Sequence, residues 1–180
     1  MEAANLGAYL AAASDEDLRW ALGELAAAPP DPDPRYFAAA RRVRDRFAPG
    51  TENYAIPTWF YGHEPSNLFS TRIAKYFSNS LREDGLLAIA LHGIVFAPGS
   101  AGTLQEIFQD NAQNKYFSLG YRSPMAFLGR ERWCRAGASV YELLRAEAHD
   151  YVDFLTLSDE PDEIVNFIQQ RPPIRKPAPS

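Results

Sequence analysis

The chain has 180 residues, 46% of them hydrophobic and 23% charged, a balance that fits one soluble folded domain and not a disordered segment. A net charge of -5 argues against general nucleic-acid binding, which needs a basic face to neutralise phosphates. The apolar runs are too short to span a bilayer, and a lone cysteine, Cys134, excludes an internal disulfide and a multi-cysteine zinc site.

The opening, MEAANLGAYLAAASDED, lacks the basic n-region of a secretory leader and meets acids at once, so a reducing cytoplasm is the expected compartment. Ala3, Leu6, Ala8 and Leu10 favour a helix over Glu2 to Ala13. Ser14-Asp15-Glu16-Asp17 starts the next one, with Ser14 as N-cap and Asp17 at the capping-box position. That helix runs to about Ala28, carries Leu18, Leu22 and Leu25 on one face, and ends at PPDPDP (Pro29 to Pro34). A third helix covers about Arg35 to Phe47. Its Arg41, Arg42, Arg44 and Arg46 suit a solvated face, and Pro49-Gly50 closes it.

Short apolar runs then alternate with helical segments. Strands are expected at Tyr54 to Phe60, Gly93 to Ala97, Met125 to Leu128 and Phe154 to Leu157. Helices are expected at about Asn67 to Leu91, Gly102 to Tyr116, Ser139 to Ala148 and Pro161 to Gln169. This rhythm predicts an α/β fold built on an open parallel sheet. Pro57 cannot donate to a ladder, so the first strand should stop near Ile56 and leave Thr58 to Asn67 as a loop. The run GIVFA has no polar alternation and predicts a strand buried on both faces. The proline-rich tail, RPPIRKPAPS, should be loose. Cys134 suits a buried or half-buried position. His63, His92 and His149 are too scattered for a metal motif, and His63-Glu64 suits a solvated loop pair.

The stretch from His92 to Asp110 is the most informative. A strand enters the turn Pro98-Gly99-Ser100-Ala101-Gly102-Thr103, and a helix follows directly. Unpaired N–H groups at such a helix start, with the positive end of the dipole, suit a phosphate. Gly99 and Gly102 permit close approach and unusual dihedrals, and Ser100 and Thr103 can add hydroxyl donors. Helical spacing puts Leu104, Ile107 and Phe108 on the buried face, and Thr103, Glu106, Asp110 and Gln113 opposite them. The same residues also suit a plain βα turn with Glu106 as an acid favoured by the dipole.

PGSAGTLQE resembles the Pro-Gly-Gly-x-Gly-Thr-x-x-Glu motif of the LONELY GUY family, Rossmann-like proteins often labelled "lysine decarboxylase". The match holds at Pro98, Gly99, Gly102, Thr103 and Glu106, with Ser100 standing where the family has its second glycine. The opening Met1-Glu2-Ala3-Ala4-Asn5-x-Gly7-Ala8 resembles the helix that follows the family's first glycine-rich loop. The resemblance covers Met1 to about Gln169, interrupted by a helical insertion from about Ala13 to Gly50.

The resemblance implies one Rossmann-like nucleotide-binding domain over residues 1–170. It implies hydrolysis of the N-glycosidic bond of nucleoside 5′-monophosphates to free base and ribose 5-phosphate, in a homodimer. Gly99, Ser100, Ala101, Gly102 and Thr103 would hold the phosphate, and Glu106 would be the catalytic carboxylate. The family pairs that glutamate with an arginine on the preceding helix. Counting back from the Pro-Gly turn lands on Glu83, with Arg82 the nearest candidate and Arg72 a looser one. The resemblance further implies that a strand and a first glycine-rich loop precede Met1, so that the chain is the C-terminal part of a full domain. No metal and no cofactor are expected: the decarboxylase label would need a Schiff-base lysine, and Lys75, Lys115 and Lys176 lack a cofactor context. The alternative is a non-catalytic nucleotide sensor or carrier on the same fold.

Overall fold

A computed structural model of the chain describes residues 2–30, 33–59 and 67–177. The chain divides into two units, Met1–Arg82 and Glu83–Ser180.

In the first unit, α1 (Glu2–Tyr9) is followed by α2 (Asp15–Ala26), which opens as its capping residues predict. Ser14 Oγ accepts from the Asp17 N–H at 3.2 Å and donates to Asp17 Oδ2 at 2.9 Å. Asp33 caps α3 (Pro34–Arg46) by accepting from the Arg35 N–H at 2.8 Å. Leu6, Tyr9, Leu10, Ala21, Ala40, Val43 and Phe69 form this unit's core. The expected apolar face of α2 needs correction. Leu18 and Leu22 are exposed, and it is the small Ala21 that is fully buried. The arginines of α3 lie on a solvated face as expected, Arg42 paired with Glu24 at 2.9 Å and Arg46 with Asp17 at 3.0 Å.

The first strand, β1 (Tyr54–Ala55), is short, in keeping with the stop that Pro57 imposes. It pairs in parallel with β2 (Arg72–Ile73), inside a stretch expected to be helical. Helix α4 (Asn79–Ile89) begins twelve residues later than that expectation, which is corrected here. Side-chain bonds, one of them local and two to the Asn53 backbone, hold the intervening segment. Thr71 Oγ1 accepts from the Asn53 N–H at 2.8 Å and donates to Asn53 O at 2.7 Å, while Asn67 Oδ1 accepts from the Phe69 N–H at 3.2 Å. Asn5 ties α1 to β1, donating to Asn53 Oδ1 at 2.7 Å and Tyr54 O at 3.1 Å and accepting from Asn67 Nδ2 at 2.8 Å. His63-Glu64 lies outside the described residues.

In the second unit, β3 (Ile94–Phe96) leads into α5 (Ala101–Tyr116), then β4 (Tyr121–Arg122) and β5 (Met125–Leu128). Helices α6 (Arg130–Trp133) and α7 (Val140–Glu147), strand β6 (Leu155–Ser158), helix α8 (Pro161–Gln170) and strand β7 (Ile174–Arg175) complete it. The sheet order is β3-β5-β6, all parallel, so the fold is α/β with a Rossmann-like open parallel sheet flanked by helices. Phe96, Ile107, Met125, Phe127, Trp133 and Leu144 form the centre of its core. The central strand β5 buries Met125, Ala126 and Phe127 completely, as a continuous apolar run should.

The GIVFA strand departs from expectation. β3 is one of the two outer strands, and of Ile94, Val95 and Phe96 only Phe96 is buried, with Val95 48% exposed. An apolar run does not distinguish a central strand from an outer one that borders a cavity. Cys134 is likewise corrected from buried or half-buried to exposed, because it sits just past the end of the short helix α6. Part of the tail is ordered by pairing: β7 runs antiparallel to β4, and the Lys176 N–H reaches Gly120 O at 2.9 Å. Among the described residues, no helix is long and apolar enough to cross a membrane.

Candidate functional site

The turn at residues 97–100 joins β3 to α5 at the carboxyl end of a parallel strand, where open sheets bind ligands. Ser100 stands at the N-cap of α5, but its side chain makes no capping bond there. Ser100 therefore does not cap the helix, and the N–H groups of an uncapped helix start suit an anion.

Gly99 acts through space and not through dihedral freedom. Neither Gly99 nor Gly102 has a positive φ, which corrects the expectation of unusual dihedrals. A Cβ at Gly99 would instead lie 2.0 Å from Thr103 Oγ1 and 2.7 Å from Thr103 Cβ. The missing side chain is what lets Thr103 fold onto the turn.

Beside the turn lies a cavity of about 470 Å³, within the range of small-molecule sites, lined by Pro98, Thr103, Glu106, Gln109 and Glu83 among mainly apolar neighbours. Glu106 is thus on the same cavity as Thr103, one turn along the helix from the helix start. Glu83, the position reached by counting back for an arginine, is 2% exposed and accepts from Gln105 Nε2 at 2.5 Å. Gln109 Nε2 donates to Asp84 Oδ1. The ionisable side chains lining this cavity, Glu83 and Glu106, are both acids.

Both candidate arginines lie in the first unit and Glu106 lies in the second. Arg82 belongs to the first unit, where its Nε donates to Asn79 Oδ1 at 3.0 Å and its Nη1 to Ile56 O at 3.4 Å. Arg72 is in that unit too, on β2, and pairs with Glu52 at 3.1 Å. Among the described residues, no group of three His, Cys, Asp or Glu side chains could hold a metal ion.

The expected faces of α5 hold near its start and fail further along. Ile107 is fully buried, but Phe108 is 43% exposed, and Asp110 and Gln113 are buried instead of facing a ligand. The β4–β5 connection covers this part of the helix. The Ser123 N–H donates to Asn114 Oδ1 at 2.8 Å and Arg122 Nε to Asn114 O at 3.0 Å. Asp110 accepts from Asn114 Nδ2 at 3.3 Å through Oδ1, while its Oδ2, Gln113 Oε1 and Ser123 Oγ have no hydrogen-bond partner. Burial pushes the Asp110 carboxyl up to about 7, which the Gln113 amide only partly offsets.

Reading the sequence motif alone misses Arg132. Its Nε donates to Gly99 O at 2.8 Å, which brings a cation from α6 against the turn. Its place just after β5, at the carboxyl end of a strand, was the available signal. No protein-family model matches the chain, and no curated protein matches it.

Proposed function

We propose that the chain binds the phosphate of a nucleoside 5′-monophosphate at residues 99–103 and hydrolyses its N-glycosidic bond, as members of the LONELY GUY family that it resembles do. One observation carries this reading. Glu106 lines the same cavity as Pro98 and Thr103, on the helix whose N-cap residue Ser100 makes no side-chain capping bond.

The chemistry then follows from charge. Cleavage of the bond between C1′ and the base passes through an oxocarbenium-like state, which a carboxylate stabilises. Glu106 would serve in that way and orient the attacking water. The water oxygen joins C1′, the base leaves with a proton, and ribose 5-phosphate remains. A homodimer in the cytoplasm belongs to the same proposal. Two features favour the second reading, a non-catalytic nucleotide carrier: Ser100 in place of a glycine, and a buried Glu83 where counting expects the arginine.

Incubation with AMP, CMP, GMP and UMP, followed by assay of free base, separates the two. Hydrolysis of at least one nucleotide, reduced by about 10²-fold or more in Glu106→Gln with binding retained, is the expected result. Binding without any base release would leave the carrier.

A further inference from the structure

After β5 the backbone turns sharply at Gly129, whose φ is +96°, into α6. A Cβ at Gly129 would lie 3.1 Å from Pro98 Cγ, so the entrance to α6 is built directly against the turn that precedes α5. Arg132 is held there from two sides. Its Nε donates to Gly99 O at 2.8 Å, and its guanidinium carbon lies 4.7 Å from the centre of the Trp133 ring. Trp133 is itself fixed, fully buried and donating through Nε1 to Leu128 O at 2.9 Å. Nearby Arg130 has a carboxylate, Asp159, at 3.8 Å. Arg132 has none within ion-pair distance among the described residues, and its Nη groups are left for another acceptor.

Charge arithmetic gives this cation a task. A phosphate monoester carries about -1.5 to -2 charges at neutral pH, and a helix start offers only about half a positive charge. The adjoining cavity makes matters worse for an anion, since Glu83 and Glu106 line it. An anionic ligand at this turn therefore needs a full positive charge, and a guanidinium suits phosphate oxygens in shape as well.

We propose that Arg132 is the specificity-determining residue of this site, selecting a phosphorylated sugar by supplying the charge that the turn lacks. The inference rests on the phosphate reading of residues 99–103.

Calorimetry with ribose 5-phosphate, the part shared by all nucleoside monophosphates, tests it. Arg132→Gln should weaken binding about tenfold or more, the loss of one charge-assisted contact, whereas Arg132→Lys, which keeps the charge but not the planar fork, should lose clearly less than Arg132→Gln. Parental affinity in Arg132→Gln would overturn the proposal. So would an equal loss in both variants, because Arg132 would then only prop the turn through Gly99. If circular dichroism shows that Arg132→Gln does not fold, Arg132→Met takes its place: a loss larger than that of Arg132→Lys supports the charge role, and parental affinity or a loss equal to that of Arg132→Lys removes it. A parent that does not bind ribose 5-phosphate would instead refute the phosphate reading itself.

Discussion

Burial lifts the Asp110 carboxyl to about 7 because nothing charged compensates it where it sits on α5. Its Oδ2 and the neighbouring Gln113 Oε1 and Ser123 Oγ lack partners, and two of the three can only accept while Asp110 is ionised. A proton on Asp110 adds a second donor beside the Ser123 hydroxyl. The linkage then has a definite sign: the folded chain keeps a proton that the unfolded chain, with a carboxyl near 3.8, releases. Stability from this residue therefore falls as pH rises from about 4 to about 7, by on the order of 4 kcal/mol at most. Asp110→Asn keeps the shape and removes the titration. Urea melts should find the variant more stable than the parent at pH 8 and nearly equal to it at pH 4. Parallel pH profiles for the two proteins would refute the assignment.

Elements with local signals were legible in the sequence, and those made by distant partners were not. Ser14 and Ser139 cap α2 and α7 because a hydroxyl three residues from an N–H needs no tertiary help. The apolar run of β5 marks a strand for the same kind of reason, although its central place comes from pairing with β3 and β6. By contrast, β2 exists through pairing with β1, eighteen residues earlier, and its residues Arg72 and Ile73 are both exposed, so no apolar pattern marks it. Asn5 shows the same limit at an element joint. In the sequence it is part of a family resemblance; in the fold it is a buried tie between α1, β1 and the segment at Asn67. Asn5→Leu would leave Asn53 Oδ1 and Asn67 Nδ2 without that partner. The expected cost is about 3 kcal/mol, the usual scale for orphaned buried polar groups, and denaturant melts would measure it. A midpoint equal to the parent's would show that water replaces the tie.

On the scale of the whole molecule, the site divides into what a contiguous motif carries and what folding brings in. Gly99, Thr103 and Glu106 are neighbours along the chain, so strand, turn and helix could be read directly. Arg132 comes from α6, thirty-three residues beyond Gly99, and no local pattern announces its contact. Stability divides along the chain as well. The cluster around Leu6, Tyr9 and Val43 lies in the first unit, and that around Phe127, Trp133 and Ile107 lies in the second. Each core excludes water from its own apolar side chains, so damage to one should open mainly its own unit. Hydrogen exchange on the Asn5→Leu protein checks this. Amides of α1, α2 and α3 should exchange faster than in the parent, while those of β5 and β6 stay unchanged. Asp110→Asn at pH 8 should do the reverse in kind, slowing exchange around α5 and β5 and leaving α1 to α3 as they were. If either substitution shifts protection equally in both units, the two cores unfold as one cooperative structure, and the division of the chain at Arg82 has no energetic meaning.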